Sequence, residues 1–271
     1  MVDRQHTLNQ TALEYLKFMQ IPYIPETRDL RGSALISYLK KQHLTDLQRS
    51  VFVGNLLGDG TLCKQIGNNG SSNFKIDQAA SEKGIEYVHF IYTILAPWVG
   101  TPPKLRYKNN KAHSIWFRTF RMKELDFYCK QFYSIDANGQ RQKIIPSLLY
   151  KWLDDVALAI WFMNDGGKTD YGYRIHTQCF TVFQIRQLQK ILQHNFGLTT
   201  GIGRDRKSLI GTIPEVIKQE RKLFSRLDDP TCKTYYYLEI HAPHREQFTS
   251  LVEPFILPGF RYKLHSSTNK D

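Results

Sequence analysis

The chain has 271 residues, of which 41% are hydrophobic and 23% are charged, so general disorder is excluded and one large domain or two small ones are expected. Its 37 lysines and arginines exceed its 25 aspartates and glutamates, which gives a formal net charge of +12. Such a basic excess favours a polyanionic partner, because neutralising phosphates releases condensed counterions, although an ordinary basic enzyme would also show it.

Neither a membrane span nor a zinc ribbon is expected from the sequence. No apolar run approaches the roughly 20 residues that span a bilayer, and residues 1–10 lack the apolar core of a signal peptide. The four cysteines are far apart and form no CxxC pair: Cys63, Cys129, Cys179 and Cys232. We therefore expect a soluble, unprocessed chain with no membrane partner, whose thiols are free and mostly buried.

The first half of the chain contains a clear series of predicted elements. Residues 1–44 are expected to form a basic, partly helical extension. A helix is predicted to begin at Thr45, whose hydroxyl can cap it, and to end at the Gly-Asp-Gly sequence at 58–60. After a polar loop at 64–73, the pattern predicts a strand at 74–76, a helix at 82–95, strands at 104–108 and 113–119 around the turn at 109–111, and a helix at 122–133.

The same order of elements then begins again. The pattern predicts a helix from about Asp154 through an apolar stretch ending in Asp-Gly-Gly, a strand at 173–178, a helix at 183–196, a basic loop at 203–233, a strand at 234–240 and a short helix at 245–255. The sequence therefore predicts two copies of a helix–strand–strand–helix–strand–strand–helix unit, unless two unrelated halves share common patterns. The predicted boundaries are an extension at 1–44, halves at 45–150 and 151–265, and a tail at 266–271.

Two aspartates occupy matching positions in these copies. Asp59 and Asp165 each end a mainly apolar helix and precede a glycine. A carboxylate at this place opposes the negative end of the helix dipole, but together with a backbone carbonyl it suits a hard divalent cation. If the two helices pack side by side, the paired carboxylates favour metal-assisted phosphodiester hydrolysis. The alternative is that each Asp-Gly pair is only a turn after a core helix.

Small residues in the first of these helices predict a close contact with the second. Gly54 and Gly58 share one helix face, and close packing would offset the conformational cost of glycine inside a helix. The aligned residues of the second helix, Ile160 and Asn164, are larger. We expect Ala157, with its neighbour at 159, to provide part of the close approach instead.

Basic and polar residues alternate along the predicted strands and gather in the loop that follows. Alternation with a period of two places them on one sheet face, where they can contact base edges in the major groove, while the loop residues can contact phosphates. An ordinary solvated surface remains the alternative. The candidate DNA-binding residues are Lys75, Lys104, Arg106, Lys108, Arg118, Lys168, Arg174, His176, Gln178, Arg204, Arg206 and Lys207.

Two nine-residue segments carry a family resemblance. FVGNLLGDG (Phe52–Gly60) and LAIWFMNDG (Leu158–Gly166) both keep aspartate at the eighth position and glycine at the ninth. With this spacing the chain resembles the LAGLIDADG homing endonucleases in their two-motif, single-chain form. Further stretches that match are WFMNDGGK, HTQCFT, IPSLL and EPFILP, so that the resemblance covers roughly residues 45–265. The large Ile160 and Asn164 depart from the small residues of the motif.

The resemblance implies a fold and an activity. The fold is a saddle-shaped α/β (α+β) duplication, αββαββα twice, whose two antiparallel sheets straddle double-stranded DNA. Each half would cover about one turn of DNA, which implies a monomer that cuts a site of roughly 20 base pairs and leaves short 3′ overhangs. Mg²⁺ is the implied cofactor, with Mn²⁺ as a substitute. Its implied ligands are Asp59, Asp165 and the backbone carbonyls of Gly58 and Asn164.

The resemblance also implies a lysine near each scissile phosphate. A residue-level match selects Lys143, three residues before Pro146, and Lys263, five residues after Pro258. The comparison between the two halves instead pairs Lys263 with Lys151. We prefer Lys143, because Lys151 can simply be an exposed lysine near the second of the two motif helices.

A second hypothesis fits the same sequence. The same scaffold can serve as an intron RNA maturase or as a DNA-binding protein without cleavage, in which case intron RNA would be a further partner. Loss of Asp59 or Asp165 would have favoured this alternative, but both are present. A mitochondrion, a chloroplast or a bacterial cytoplasm would each be compatible with the sequence.

Overall fold

The computed structural model describes residues 30–64, 71–208 and 232–265. Most of the predicted extension, the centre of the predicted basic loop and the predicted tail therefore lie outside the described residues. Within the described ranges, none of the helices combines the length and apolar character needed to cross a bilayer.

The elements of the first half contain every helix and strand predicted there. A short helix, α1 (Gly32–Lys40), precedes them within the predicted extension. The elements that follow are α2 (Asp46–Leu57), β1 (Thr61–Lys64), β2 (Ser72–Ala79), α3 (Glu82–Leu95), β3 (Lys104–Lys108), β4 (Lys111–Arg118), α4 (Lys123–Phe132), β5 (Tyr133–Ile135), β6 (Arg141–Lys143) and α5 (Leu149–Trp152). The proposed boundary between the halves falls inside α5.

The second half repeats the series. Its elements are α6 (Asp155–Asp165), β7 (Gly166–Lys168), β8 (Tyr173–His176), α7 (Val182–Phe196), β9 (Thr200–Ser208), β10 (Cys232–Ile240) and α8 (Arg245–Val252). Two 3₁₀ turns, Glu253–Phe255 and Pro258–Lys263, close the described chain.

Each half builds one four-stranded antiparallel sheet with the same strand order. The first sheet runs β1-β2-β4-β3 and the second runs β7-β8-β10-β9. The predicted turn between β3 and β4 is confirmed, since Asn109 and Asn110 both have positive φ, at 50° and 59°. Two left-handed residues form the type I′ turn whose twist matches that of a hairpin, and asparagine tolerates this conformation well.

The strand predictions were incomplete. Strands β1, β5, β6, β7 and β9 were not predicted, and the first four have only three or four residues each, too few to show a periodic pattern. The predicted loop at 64–73 is wrong at its ends, since β1 extends to Lys64 and β2 begins at Ser72. The predicted loop at 203–233 is also wrong at both ends, because β9 extends to Ser208 and β10 begins at Cys232.

The prediction of mostly buried thiols is only partly correct. Among the cysteines whose side chains the structure describes, Cys63, Cys129 and Cys179 are free, as expected. Only Cys129 is buried, whereas Cys63 is half-buried and Cys179 is exposed.

Helices α2 and α6 begin at capped ends that are joined to each other. The Thr45 hydroxyl accepts from the Gln48 N–H at 3.2 Å, and the Gln48 side chain accepts from the Thr45 N–H at 3.1 Å. This reciprocal cap confirms the predicted start of α2. Asp154 caps α6 by accepting from the Ala157 N–H at 2.8 Å, and Ser50 of α2 donates to the same carboxylate. The two helices therefore start side by side.

Further along, the glycines of α2 face the larger residues of α6. A β-carbon added at Gly54 would lie 2.5 Å from the Ala157 carbonyl oxygen and 2.7 Å from the β-carbon of Ile160. A β-carbon at Gly58 would lie 2.6 Å from that of Asn164. Ile160 and Asn164 thus occupy the space that the glycines leave empty. The departure from small residues in the second motif is compatible with close packing, because the first motif supplies the small partner.

We expect Gly54→Ala to destabilise the protein. The added methyl must push α2 away from α6, and overpacking of this kind costs about 1–3 kcal/mol. Gly167→Ala is the matched control, because nothing lies within 4 Å of a β-carbon added there. Urea unfolding measures both changes. Equal midpoints for the two variants would show that the glycine contact does not limit the helix separation.

Candidate active site

The helix contact brings the two aspartates to one place. Asp165 is the last residue of α6, and Asp59 follows Gly58, the C-terminal cap of α2. The chain turns sharply after α2, where the Gly60 N–H donates to the Asn55 carbonyl at 2.7 Å. Asp59 is exposed and Asp165 is half-buried.

The two carboxylates influence each other electrostatically. The pKa of Asp165 is raised to about 7, first because the carboxylate is buried and second because the negative charge of Asp59 repels its ionised form. The positive charges of Lys143 and Lys263 oppose this rise only in part. Without a cation, the folded protein therefore holds Asp165 partly protonated at neutral pH.

A hard divalent cation fits this donor set. It would relieve the repulsion between the carboxylates, and carboxylate and carbonyl oxygens are its preferred ligands. Within the parts of the chain that the structure describes, no cluster of three or more His, Cys, Asp or Glu side chains suits a metal ion. A cation bound here would therefore depend on the two aspartates, on backbone carbonyls and on water.

Each helix end also carries a lysine. Lys143, at the end of β6, donates to the Gly58 carbonyl at 2.7 Å and to the Gly60 carbonyl at 3.3 Å. Lys263 donates to the Met163 carbonyl at 2.6 Å and to the Asn164 carbonyl at 3.4 Å. A cation at this position complements the negative end of a helix dipole.

Burial lowers the pKa of both lysines, and that of Lys263 falls to about 8. The carbonyls of Gly58 and Asn164, which the family resemblance implies as metal ligands, accept hydrogen bonds from these lysines. A carbonyl has a second lone pair, so such a bond does not prevent coordination. Lys151 is exposed, and its amine lies 5.5 Å from the centre of the Tyr150 ring.

The sequence analysis missed Gln78 near the site. Its amide nitrogen lies 2.8 Å from Oδ2 of Asp59 and 3.4 Å from the side-chain oxygen of Asn164, and donates to both. The predicted strand at 74–76 ended too early to include it. In the structure β2 extends to Ala79, and the pairing of Lys75 with Thr61 carries Gln78 past the start of β1 to the turn that holds Asp59.

A buried polar chain supports the same end of the two helices. The Tyr87 hydroxyl of α3 donates to Oδ1 of Asn55 at 2.9 Å and accepts from the Asn164 amide at 2.9 Å. Asn55 and Asn164 also bond the carbonyls of their own helices. The pKa of Tyr87 is raised well above its usual value, mainly by burial, so the hydroxyl stays protonated and available as a donor.

The first sheet separates an apolar face from a polar face. Ile76 and Phe117 pair across β2 and β4 and are buried. The polar face carries Lys75, Asp77, Lys104, Arg106, Trp116 and Arg118, of which Lys75 pairs with Arg118 and Asp77 with Trp116. The structure thus brings the predicted DNA-binding residues of this sheet together, with Lys108 exposed at the end of β3.

The second sheet is built in the same way. Ile175 and Leu238 are buried on one face, and the other face pairs His176 with Tyr237 and Arg174 with Glu239. The remaining candidates Lys168, Gln178 and Arg204 are exposed. Arg206 and Lys207 belong to β9, but their side chains lie outside the described residues.

Comparisons with known proteins agree with this architecture. A family model described as LAGLIDADG DNA endonuclease family matches residues 49–216. The chain is 29% identical over 254 residues to the probable intron-encoded endonuclease 1 of Wickerhamomyces canadensis, which covers 88% of this chain and 94% of that protein. It is 24% identical over 225 residues to the cytochrome b mRNA maturase bI2 of Saccharomyces cerevisiae, which covers 79% of this chain and 46% of that longer protein.

One solved structure shows the same fold. The homing endonuclease I-WcaI, bound to its DNA recognition sequence, superposes with a TM-score of 0.64 at 24% identity and covers 87% of this chain and 93% of that chain.

The raised pKa of Asp165 predicts a pH-dependent cost of folding. Its folded pKa of about 7 exceeds the value of about 4 for an unfolded aspartate, so wild-type stability falls as the pH rises from 4 to 7. Asp165→Asn removes this cost. In EDTA at pH 8 the variant should be about 2–4 kcal/mol more stable than the wild type, and the difference should shrink as the pH is lowered to 5.

Urea unfolding at several pH values measures this difference. The control is Asp170→Asn, which removes an exposed carboxylate between β7 and β8. If Asp165→Asn changes stability by the same amount at every pH, the Asp165 carboxylate is not desolvated as the structure indicates.

Proposed function

The chain belongs to the LAGLIDADG DNA endonuclease family, and we propose from this premise that it is a homing endonuclease that makes a double-strand break at one long DNA site. The observation that carries the proposal is the pair of aspartates at the ends of two packed helices, each end also holding a lysine. Two strands must be cut, and the site provides one carboxylate and one lysine from each half of the chain.

The aspartates are the proposed ligands of a divalent cation. Asp59 and Asp165 would hold it together with the carbonyls of Gly58 and Asn164. The cation is proposed to be Mg²⁺, with Mn²⁺ as a substitute. When bound, such an ion lowers the pKa of a coordinated water and neutralises charge on the leaving oxygen.

The remaining site residues are proposed to stabilise charge on the phosphates and to orient the metal ligands. Lys143 and Lys263 are proposed to stabilise the negative charge that develops on each scissile phosphate. Lys263 can also exchange a proton near neutral pH, because its pKa is about 8. Gln78 donates to Asp59 and would orient the ligating carboxylate from outside the metal shell.

The polar faces of the two sheets are the proposed DNA-binding surface. Their basic side chains would contact phosphates and base edges, and the two faces together would cover roughly two turns, or about 20 base pairs. Because one chain supplies both halves, the protein is proposed to act as a monomer on double-stranded DNA. Cleavage is proposed to leave short 3′ overhangs.

A second candidate function is intron RNA maturation. It is favoured by the similarity to a protein named as a cytochrome b mRNA maturase, although this chain spans about half the length of that relative. RNA would then be an additional partner. The retention of both aspartates favours endonuclease activity as the main function.

Cleavage of a randomised duplex-DNA library in Mg²⁺ tests the main proposal. The wild type should cut one long motif in both strands. Asp59→Asn and Asp165→Asn should lower double-strand cleavage by about a hundredfold or more, or leave only nicking, because each variant removes a metal ligand. The Asp170→Asn control should cut like the wild type.

Metal binding has a separate measurement in thermal unfolding. Mg²⁺ should raise the melting temperature of the wild type and of Asp170→Asn, but not that of Asp165→Asn. Tight binding of DNA or RNA by the wild type with no cutting in Mg²⁺ or Mn²⁺ would overturn the endonuclease proposal and favour the second candidate.

The two candidate lysines of the first half predict different phenotypes. Lys143→Met should slow cleavage by about 10²–10³-fold at saturating Mg²⁺, because a charge beside the scissile phosphate is lost. Lys151→Met removes an exposed lysine that the repeat comparison selected, and it should stay within about threefold of the wild type. The assay is single-turnover cleavage of the selected target, and the opposite order of effects would transfer the role to Lys151.

A further inference from the structure

One carboxylate lies among the cations of the first sheet's polar face. Oδ2 of Asp77 accepts from Nη1 of Arg106 at 2.7 Å and from the Lys75 amine at 3.0 Å. Asp77 comes from β2 and Arg106 from β3, the outermost strand, with β4 between them. A single carboxylate therefore connects basic side chains across three strands of the sheet.

An aromatic ring restricts the same arginine. The guanidinium carbon of Arg106 lies 4.5 Å from the centre of the Trp116 ring on β4, and the Lys75 amine lies 5.9 Å from it. The ring limits the movement of the guanidinium on one side, and the bond to Asp77 fixes the direction of its Nη1 atom. The side chain of Arg106 is still 45% exposed, so the held group remains accessible from the polar face.

The charge state of Asp77 suits this role. Burial would raise the pKa of its carboxyl group, but hydrogen bonds from Lys75 and Ser114 and the charges of Lys75 and Arg106 outweigh burial and lower it. The carboxylate is therefore ionised throughout the neutral range. It holds Arg106 by a charge-assisted hydrogen bond, which is stronger than a neutral one.

The second sheet also places a cation against an aromatic ring. Tyr237 on β10 lies opposite His176, as Trp116 on β4 lies opposite Asp77, so the two aromatic residues occupy equivalent places. The guanidinium of Arg174 lies 4.4 Å from the centre of the Tyr237 ring. Arg174 belongs to β8 and is the counterpart of Lys75, so in both sheets the ring lies beside a cation of the polar face.

Resting on the proposed DNA-binding function, we propose that Arg106 recognises one guanine in the major groove and that Asp77 and Trp116 are positioning residues for it. A guanidinium has five N–H donors, so the bond to Asp77 leaves enough of them for O6 and N7 of guanine. Holding the side chain in advance reduces the ordering cost of binding, so the contact contributes more to discrimination between bases.

The test is a binding selection from randomised duplex DNA in EDTA, so that specificity is measured without cleavage. The wild type should prefer guanine at one base pair by about ten- to a hundredfold. Arg106→Gln should lose this preference and favour adenine at the same base pair, since a glutamine amide matches adenine N6 and N7. Asp77→Asn should weaken the preference for guanine at that same base pair by about three- to tenfold. It should leave the base preferences at the other positions unchanged.

The matched control is Asp46→Asn. Asp46 accepts from Arg49 at 2.8 Å, but this pair lies at the start of α2 and away from the polar face. The control should keep the wild-type specificity profile. All variants are first compared in thermal unfolding. If Asp77 has only a structural role, Asp77→Asn should lower the melting temperature without weakening the base preference at one particular base pair.

The outcomes separate this proposal from the proposed function. The wild type can select a long motif while Asp77→Asn changes no base preference, or changes it at a different base pair from Arg106→Gln. In that case the positioning role is wrong, but the endonuclease proposal stands. If Arg106→Gln lowers the affinity equally for all DNA sequences, Arg106 contacts a phosphate, and the proposed base recognition is wrong. If the wild type selects no motif, both proposals fail together.

Discussion

The distance between helices α2 and α6 is the constraint on which the rest of the molecule depends. It is set by the missing β-carbons of Gly54 and Gly58, whose places are filled by atoms of Ile160 and Asn164. A pair of carboxylates can share a cation only if their helices end within a few ångströms of each other. Glycine in a helix costs about 0.5–1 kcal/mol relative to alanine. Here the close contact compensates for that cost.

Bringing two helix ends together creates electrostatic costs that neighbouring groups reduce but do not remove. Two helix C-termini carry partial negative charge, and two carboxylates add to it. Lys143 and Lys263 supply the compensating charges and bond the terminal carbonyls directly. The residual repulsion is visible in the raised pKa of Asp165. This repulsion is one that a divalent cation would relieve, which favours cation binding over a purely structural role for the aspartates.

The sequence predicted the duplicated architecture well because each half repeats strong local signals. Apolar helices ending in Asp-Gly and the Asn109–Asn110 turn are determined by residues close in the chain. Strands β1 and β7 were missed because three or four residues after a helix end carry no periodic pattern, and their pairing with β2 and β8 supplies the stability. Gln78 was missed for a related reason, since its proximity to Asp59 depends on the register between those strands.

The two polar faces carry different side chains at equivalent positions. At equivalent register positions, Lys75 pairs with Arg118 in the first sheet, whereas Arg174 pairs with Glu239 in the second. A change of sign at one position alters which base edges or phosphates a face can approach. Strand positions facing solvent can change in this way without affecting the core, whereas any residue larger than glycine at position 54 would meet α6. If the two faces bind DNA as proposed, their unlike side chains would suit an asymmetric site rather than a palindrome.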